Sequence, residues 1–201
     1  ADARASRVWI TNTYFFAKLY GDQKKYNYAS VRRWTKAVDV ASLSKTLVPA
    51  HVNHNHWVLL VVDYNSRRIE CYDSLLNRTR DTVAAEAAEQ LKRWVVDEAG
   101  SRGADVDASV WTTVVRRDTP RQANLNDCGV FTLAFAVCVV LGLPITAVSQ
   151  VDMPRLRRSI VAFLLRRSTP PPTRPSPRRK RTRPTPYSPP PATKRSKPLS
   201  K

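Results

Sequence analysis

Residues 56–73 read HWVLLVVDYNSRRIECYD, and this stretch decides the fold. Trp57–Asp63 is a continuous apolar run of strand length, rich in β-branched residues. A strand covered on only one face alternates apolar with polar; an unbroken run is what burial on both faces demands. Asn65-Ser66 supplies a turn, and Arg68–Asp73 follows as a second strand, so the pair is expected to form a hairpin.

Working outward, Thr46–Ala50 is a short strand candidate ending near Pro49, and Val110–Arg117 a further one. Val8–Tyr20 is aromatic-rich and reads as a buried helix. Tyr28–Lys36, with Val31 and Trp34 three apart among basic residues, reads as a short amphipathic helix. Asp81–Ala99 is the clearest helix, with an acidic first turn and Gly100 as its stop. Ser101–Asp107 and Pro120–Asp127 are loops. An apolar helix is expected from about Cys128, and an amphipathic one over Asp152–Arg167 with Leu156, Ile160, Phe163 and Leu164 on one side. Strands in the middle of the chain with helices around them give an α+β domain.

The charge of +18 on 201 residues is unevenly distributed. Residues 168–201 hold ten basic residues, no acid and 11 of the 15 prolines, which leaves +8 for residues 1–167. The chain therefore divides into a moderately basic globular part, 1–167, and a tail, 168–201, expected to be disordered with extended polyproline stretches. Five glycines exclude a collagen-like chain, and three cysteines, an odd number, exclude a disulfide scaffold and favour a reducing compartment. The start lacks the apolar core of a signal peptide. The most apolar run is Gly129 to Ile145, and the stretch of helix expected there, Cys128 to Leu143, spans 16 residues. That is roughly 24 Å of helix against about 30 Å of hydrocarbon, so it reads as a buried helix and not as a membrane span.

Polar residues that interrupt apolar context mark the chemistry. His56 precedes the buried strand, Asp73 ends the next one, and Cys128 stands between a polar loop and an apolar helix. A cysteine at a helix N-terminus meets unpaired N–H groups and the positive end of the dipole, which favour a thiolate. An imidazole beside it can take the thiol proton, and an acid behind the imidazole fixes its tautomer. Gln122, six residues before Cys128, can donate to a developing oxyanion with the Cys128 backbone N–H, and Gly129 removes a side chain beside the nucleophile. Taken singly, each residue has a plainer reading: Cys128 as a small buried hydrophobe, His56 as a strand-edge histidine, Asp73 as a turn-former. Cys71 and Cys138 are read in that way, as core residues. His51, His54 and His56 make zinc conceivable, but no CxxC pair accompanies them, and neither metal nor cofactor is expected. Lys and Arg on the 81–99 and 152–167 helices read as solvated faces.

Together, His56-Trp57 through Asp63, Cys71-Tyr72-Asp73-Ser74-Leu75 and Pro120 through Phe131 resemble the ubiquitin-like-protein-specific (SUMO/sentrin) cysteine proteases, relatives of the adenoviral proteinase. The His-to-Asp gap of 17, the Gln-to-Cys gap of six, and the segments 14–19, 31–36 and 153–157 fit that pattern, over roughly residues 8–167. The resemblance implies a papain-like fold with a central mixed sheet flanked by helices. It implies His56 as base, Asp73 as its orienting acid, Cys128 as nucleophile and Gln122 as oxyanion donor. It also implies that Trp57 walls a narrow tunnel threaded by the Gly-Gly terminus of a ubiquitin-like modifier, SUMO first and NEDD8 second.

Three departures stand beside it. Residues 1–20 lack the family's Trp-Leu-Asn-Asp motif, so the domain is expected to lack its N-terminal segment. This motivates the alternative of a catalytically impaired module that only binds the modifier. Leu125 and Asn126 occupy a loop where Gly is common, and Arg121 stands where Gln is frequent. The tail clusters Arg178–Arg181, Arg183, Lys194-Arg195 and Lys197 read as a nuclear-import signal, a weak nucleic-acid contact, or a solubilising tail. A salt-sensitive DNA- or RNA-binding protein driven by that tail is a third reading. The expected whole is a monomer of the nucleus, with the cytoplasm as the alternative, and with no membrane association.

Overall fold

The computed structural model describes residues 7–21, 24–75 and 78–168. One five-stranded sheet organises them: β1 (Val8–Ile10), β2 (Lys45–Val52), β3 (His56–Asp63), β4 (Arg68–Tyr72) and β5 (Thr112–Val115), side by side in chain order. The outer pairs β1–β2 and β4–β5 are parallel and the inner pairs antiparallel, so the sheet is mixed. Four helices accompany it among the described residues: α1 (Tyr14–Leu19), α2 (Arg78–Ser101), α3 (Cys128–Leu141) and α4 (Met153–Ser168).

The central strand explains its own sequence. Val58, Leu60 and Val62 of β3 face a cluster with Phe15, Phe16 and Leu19 of α1 and Ala84, Ala88, Leu91 and Trp94 of α2. Leu59 and Val61 face the other way, onto Phe131, Phe135 and Cys138 of α3, with Ile145 and Met153. Both sets are at most 1% exposed, which is why the run has no polar alternation. Cys71 and Cys138 lie in the two clusters as small core residues. Burial pushes both thiols up.

Four sequence expectations need correction. Val8–Tyr20 is not one helix. Thr11 N–H continues the ladder by donating to Leu47 C=O, and Asn12 then turns the chain by accepting from Tyr14 and Phe15. The aromatic density serves a T-shaped stack of Phe15 on Trp94, with ring centroids 5.3 Å apart. Residues 28–36 form a 3₁₀ turn, Tyr28–Ser30, followed by further turns. Ser30 Oγ bonds Lys18 C=O and Asn27 C=O, and Asn27 caps Ser30 N–H, a local set of bonds that competes with a helix. The β2 strand runs to Val52, well past Pro49, because Pro49 faces Leu59 within a register that continues to His56. On α4, Leu156 and Ile160 pack on the second cluster, but Phe163 and Leu164 are each 56% exposed.

The apolar helix begins where expected, at Cys128, and ends at Gly142 in a left-handed cap, φ 66°. Its one polar interruption, Thr132, donates to Cys128 C=O at 2.9 Å. No described helix is long and apolar enough to cross a membrane. The basic clusters of the 168–201 tail lie outside the described residues.

Candidate active site

The site assembles at the His56 end of β3. A tight turn at 53–55, with Asn53 and His54 in the left-handed region (φ 48° and 61°), closes the β2–β3 hairpin and opens β3 with His56. His56 Nε2 lies 2.7 Å from Asp73 Oδ1, and both residues are 2% exposed. The same Asp73 oxygen accepts Leu75 N–H at 2.7 Å, so the acid is both an orienter of the imidazole and the turn-former at the end of β4. Its carbonyl is held by Thr119 Oγ1 at 2.9 Å and by Arg121 Nη1 at 3.3 Å. His56 Nδ1 is buried and has no hydrogen-bond partner among the described residues, Cys128 included.

Gln122 is fixed from both sides. Its backbone N–H donates to Ser74 C=O at 3.0 Å and its Oε1 accepts from Ser74 Oγ at 2.6 Å. Nε2 donates to Asn124 C=O at 2.5 Å. A carbonyl can only accept, so this contact settles which end of the amide is nitrogen, and it engages one of the two amide hydrogens. The dipeptide Asp73-Ser74 thus holds the imidazole with one residue and the amide with the next.

Cys128 opens α3 and is 7% exposed, facing a cleft of about 600 Å³ that Trp57, Asn55, Leu125, Gly129 and Leu133 also line. A Cβ on Gly129 would stand 3.7 Å from Trp57 Cδ1, an ordinary contact, so the fold packs without strain around a side chain there. Trp57 leans on His51, with ring centroids 4.8 Å apart. His51 is therefore a prop for Trp57, while His56 is committed to Asp73.

Residues 1–164 match the model of the Ulp1 protease family, C-terminal catalytic domain. The chain belongs to the Ulp1 protease family. It is 36% identical over 159 residues to sentrin-specific protease 5 of Mus musculus, covering 79% of this chain and 20% of that protein. To ubiquitin-like-specific protease 1A of Arabidopsis thaliana it is 32% identical over 151 residues, 73% of this chain and 29% of that one. The chain thus spans about a fifth to under a third of the length of these relatives. A solved C-terminal Ulp1 protease domain in complex with Smt3, the yeast ortholog of SUMO, shares the fold, with TM-score 0.65, 24% identity, 80% of this chain and 68% of that one.

In this Ulp1-family domain two of the three departures, the 125–126 loop and Arg121, have local explanations. Leu125 and Asn126 fit because Asn124 Oδ1 accepts both Asn126 N–H (2.9 Å) and Asp127 N–H (3.0 Å), and none of residues 124–127 adopts a left-handed backbone. Glycine's conformational freedom is not required there. Arg121 uses its guanidinium to hold the carbonyl of Asp73. Sequence reasoning missed Ser74, Asn124, Gln150 and Arg157, whose polar atoms fix the loop. Ser74 adjoins Asp73 and Arg157 ends the 153–157 segment of the resemblance, so both carried a signal of place but not of role; Gln150 carried none.

Proposed function

We propose that this Ulp1-family domain is a cysteine protease that cleaves after the C-terminal Gly-Gly of a SUMO-type modifier, from precursors or from lysine conjugates. The observation that carries this reading is the buried pair of His56 and Asp73. With Nε2–H donated to Asp73, the imidazole tautomer leaves a lone pair on Nδ1, the nitrogen with no other partner. Nδ1 takes the Cys128 proton. The thiolate attacks the terminal glycine carbonyl, and the oxyanion is received by Gln122 Nε2 and the Cys128 backbone N–H at the head of α3. Collapse transfers the His56 proton to the departing amine and leaves a thioester. Water, deprotonated by His56, then releases the modifier carboxylate and the thiol. Trp57 and Gly129 stand together on one wall of the cleft, where in this reading they meet the side-chain-free Gly-Gly end of the modifier.

SUMO is preferred over NEDD8 because the mouse relative is named sentrin-specific and the yeast domain was solved with a SUMO ortholog. We further read residues 1–167 as the protease unit and the basic tail as an address to the nucleus through an import receptor, or a weak nucleic-acid contact, acting through 178–197. A second reading, a module that binds the modifier without cleaving it, is favoured by the lack of a hydrogen bond between His56 and Cys128. Incubating the chain with SUMO and NEDD8 precursors separates these readings. Release of the tail from SUMO precursor alone supports the proposal. Binding without release in the same samples supports the second reading, and preferential release from NEDD8 overturns the modifier assignment.

A further inference from the structure

Asp127, the residue before Cys128, occupies the N-cap position of α3 but makes no side-chain bond to that helix. Its carboxylate, 5% exposed, is instead enclosed from two directions. Asn124 Nδ2 and Gln150 Nε2 donate to Oδ2 at 2.7 and 2.8 Å. Arg157, one turn into α4, donates to Oδ1 through Nε at 2.9 Å and Nη2 at 2.5 Å, and Nη2 also reaches Asn126 C=O at 2.6 Å. Bonds from Gln150, Arg157 and Asn124 hold the Asp127 carboxyl below the usual range, so it is charged at working pH.

A fixed negative charge next to a cysteine opposes a thiolate there, and it competes for the positive helix end that favours one. The guanidinium cancels that charge. It also closes a chain of bonds: Arg157 to Asp127, Asn124 to Asp127, Gln122 to Asn124, and Ser74 to Gln122. We propose that Arg157 is a positioning residue for the reaction: it neutralises Asp127 behind the nucleophile and locks the 122–128 loop that presents both Gln122 and Cys128. The inference rests on Cys128 being the nucleophile. The charged or titratable groups tied to the site are His56 of β3 with Asp73 after β4, Arg121 on the Asp73 carbonyl, and Asp127 of the loop with Arg157 of α4. Asp127 and Arg157 are the ion pair that stands directly before Cys128 in the loop, and one substitution removes its balance.

The test is the rate of Cys128 alkylation by iodoacetamide against pH, read by mass spectrometry, in the wild type, R157Q, R157K and R157Q/D127N. The proposal expects R157Q to move the midpoint of the profile upward by about one pH unit, and R157K to move it less. In R157Q/D127N, where no carboxylate remains, the midpoint returns toward the wild-type value. A lost bond that matters only to folding does not produce that return. An unmoved midpoint in R157Q overturns the proposal, as does a shift that D127N leaves in place. Because alkylation needs no modifier, failure of the chain to cleave SUMO tells against the proposed function and leaves this result readable on its own.

Discussion

Ser74 and Asp73 divide the work of the site between two neighbouring side chains, one on Gln122 and one on His56. The catalytic candidates were legible because each breaks an apolar pattern: His56 before a buried run, Asp73 after one, Cys128 at the start of another. Ser74 and Arg157 were not, since their partners lie 48 and 30 residues away and only folding brings them together. Arg157 also resembles, by composition, the solvated basic face of α4; it stays half exposed there while its guanidinium reaches the loop at Asp127. Gln122 permits a sharp prediction. On the proposed mechanism, Gln122→Ala removes an oxyanion donor that acts only in the transition state, so kcat on a SUMO precursor is expected to fall by about 10²–10³ with KM little changed. Steady-state kinetics check it; an unchanged kcat removes Gln122 from the reaction.

Elements differ in how plainly they were written. The strand β3 was legible because burial on both faces leaves a run that no other element of that length needs. The start of α3 was legible because loop chemistry gives way to apolar sequence at one residue. The segment 8–20 was not, because aromatic side chains pack equally well from a strand and a helix, and a single Asn12 turn decides where one becomes the other. The position of Cys128 depends on the seating of α3 against β3, and Phe131, 0% exposed and 5.6 Å from Phe135 between ring centroids, is its main anchor. Phe131→Ala should cost about 3–5 kcal/mol in urea unfolding. A loss below 1 kcal/mol contradicts the packing described for this helix.

For the whole molecule, the sheet works as a partition. One face carries the aromatic core with α1 and α2; the other carries α3, and the polar loops gather at the edge where β3 begins and β4 ends. Charge is partitioned along the chain as well, with more than half of the +18 in the last 34 residues. On the proposed function, the chemistry belongs to residues 1–167 and not to this tail. Deleting residues 169–201 should therefore abolish salt-sensitive retention on DNA while leaving the rate of SUMO-precursor cleavage at fixed salt within about twofold. Retention that survives the deletion places the nucleic-acid contact on the domain. The central claim, that Cys128 is a nucleophile for a Gly-Gly terminus, is met most directly by SUMO bearing a C-terminal electrophile. The account predicts one covalent adduct, mapped to Cys128 and absent in Cys128→Ser. An adduct that persists in Cys128→Ser, or none with the intact chain, contradicts it.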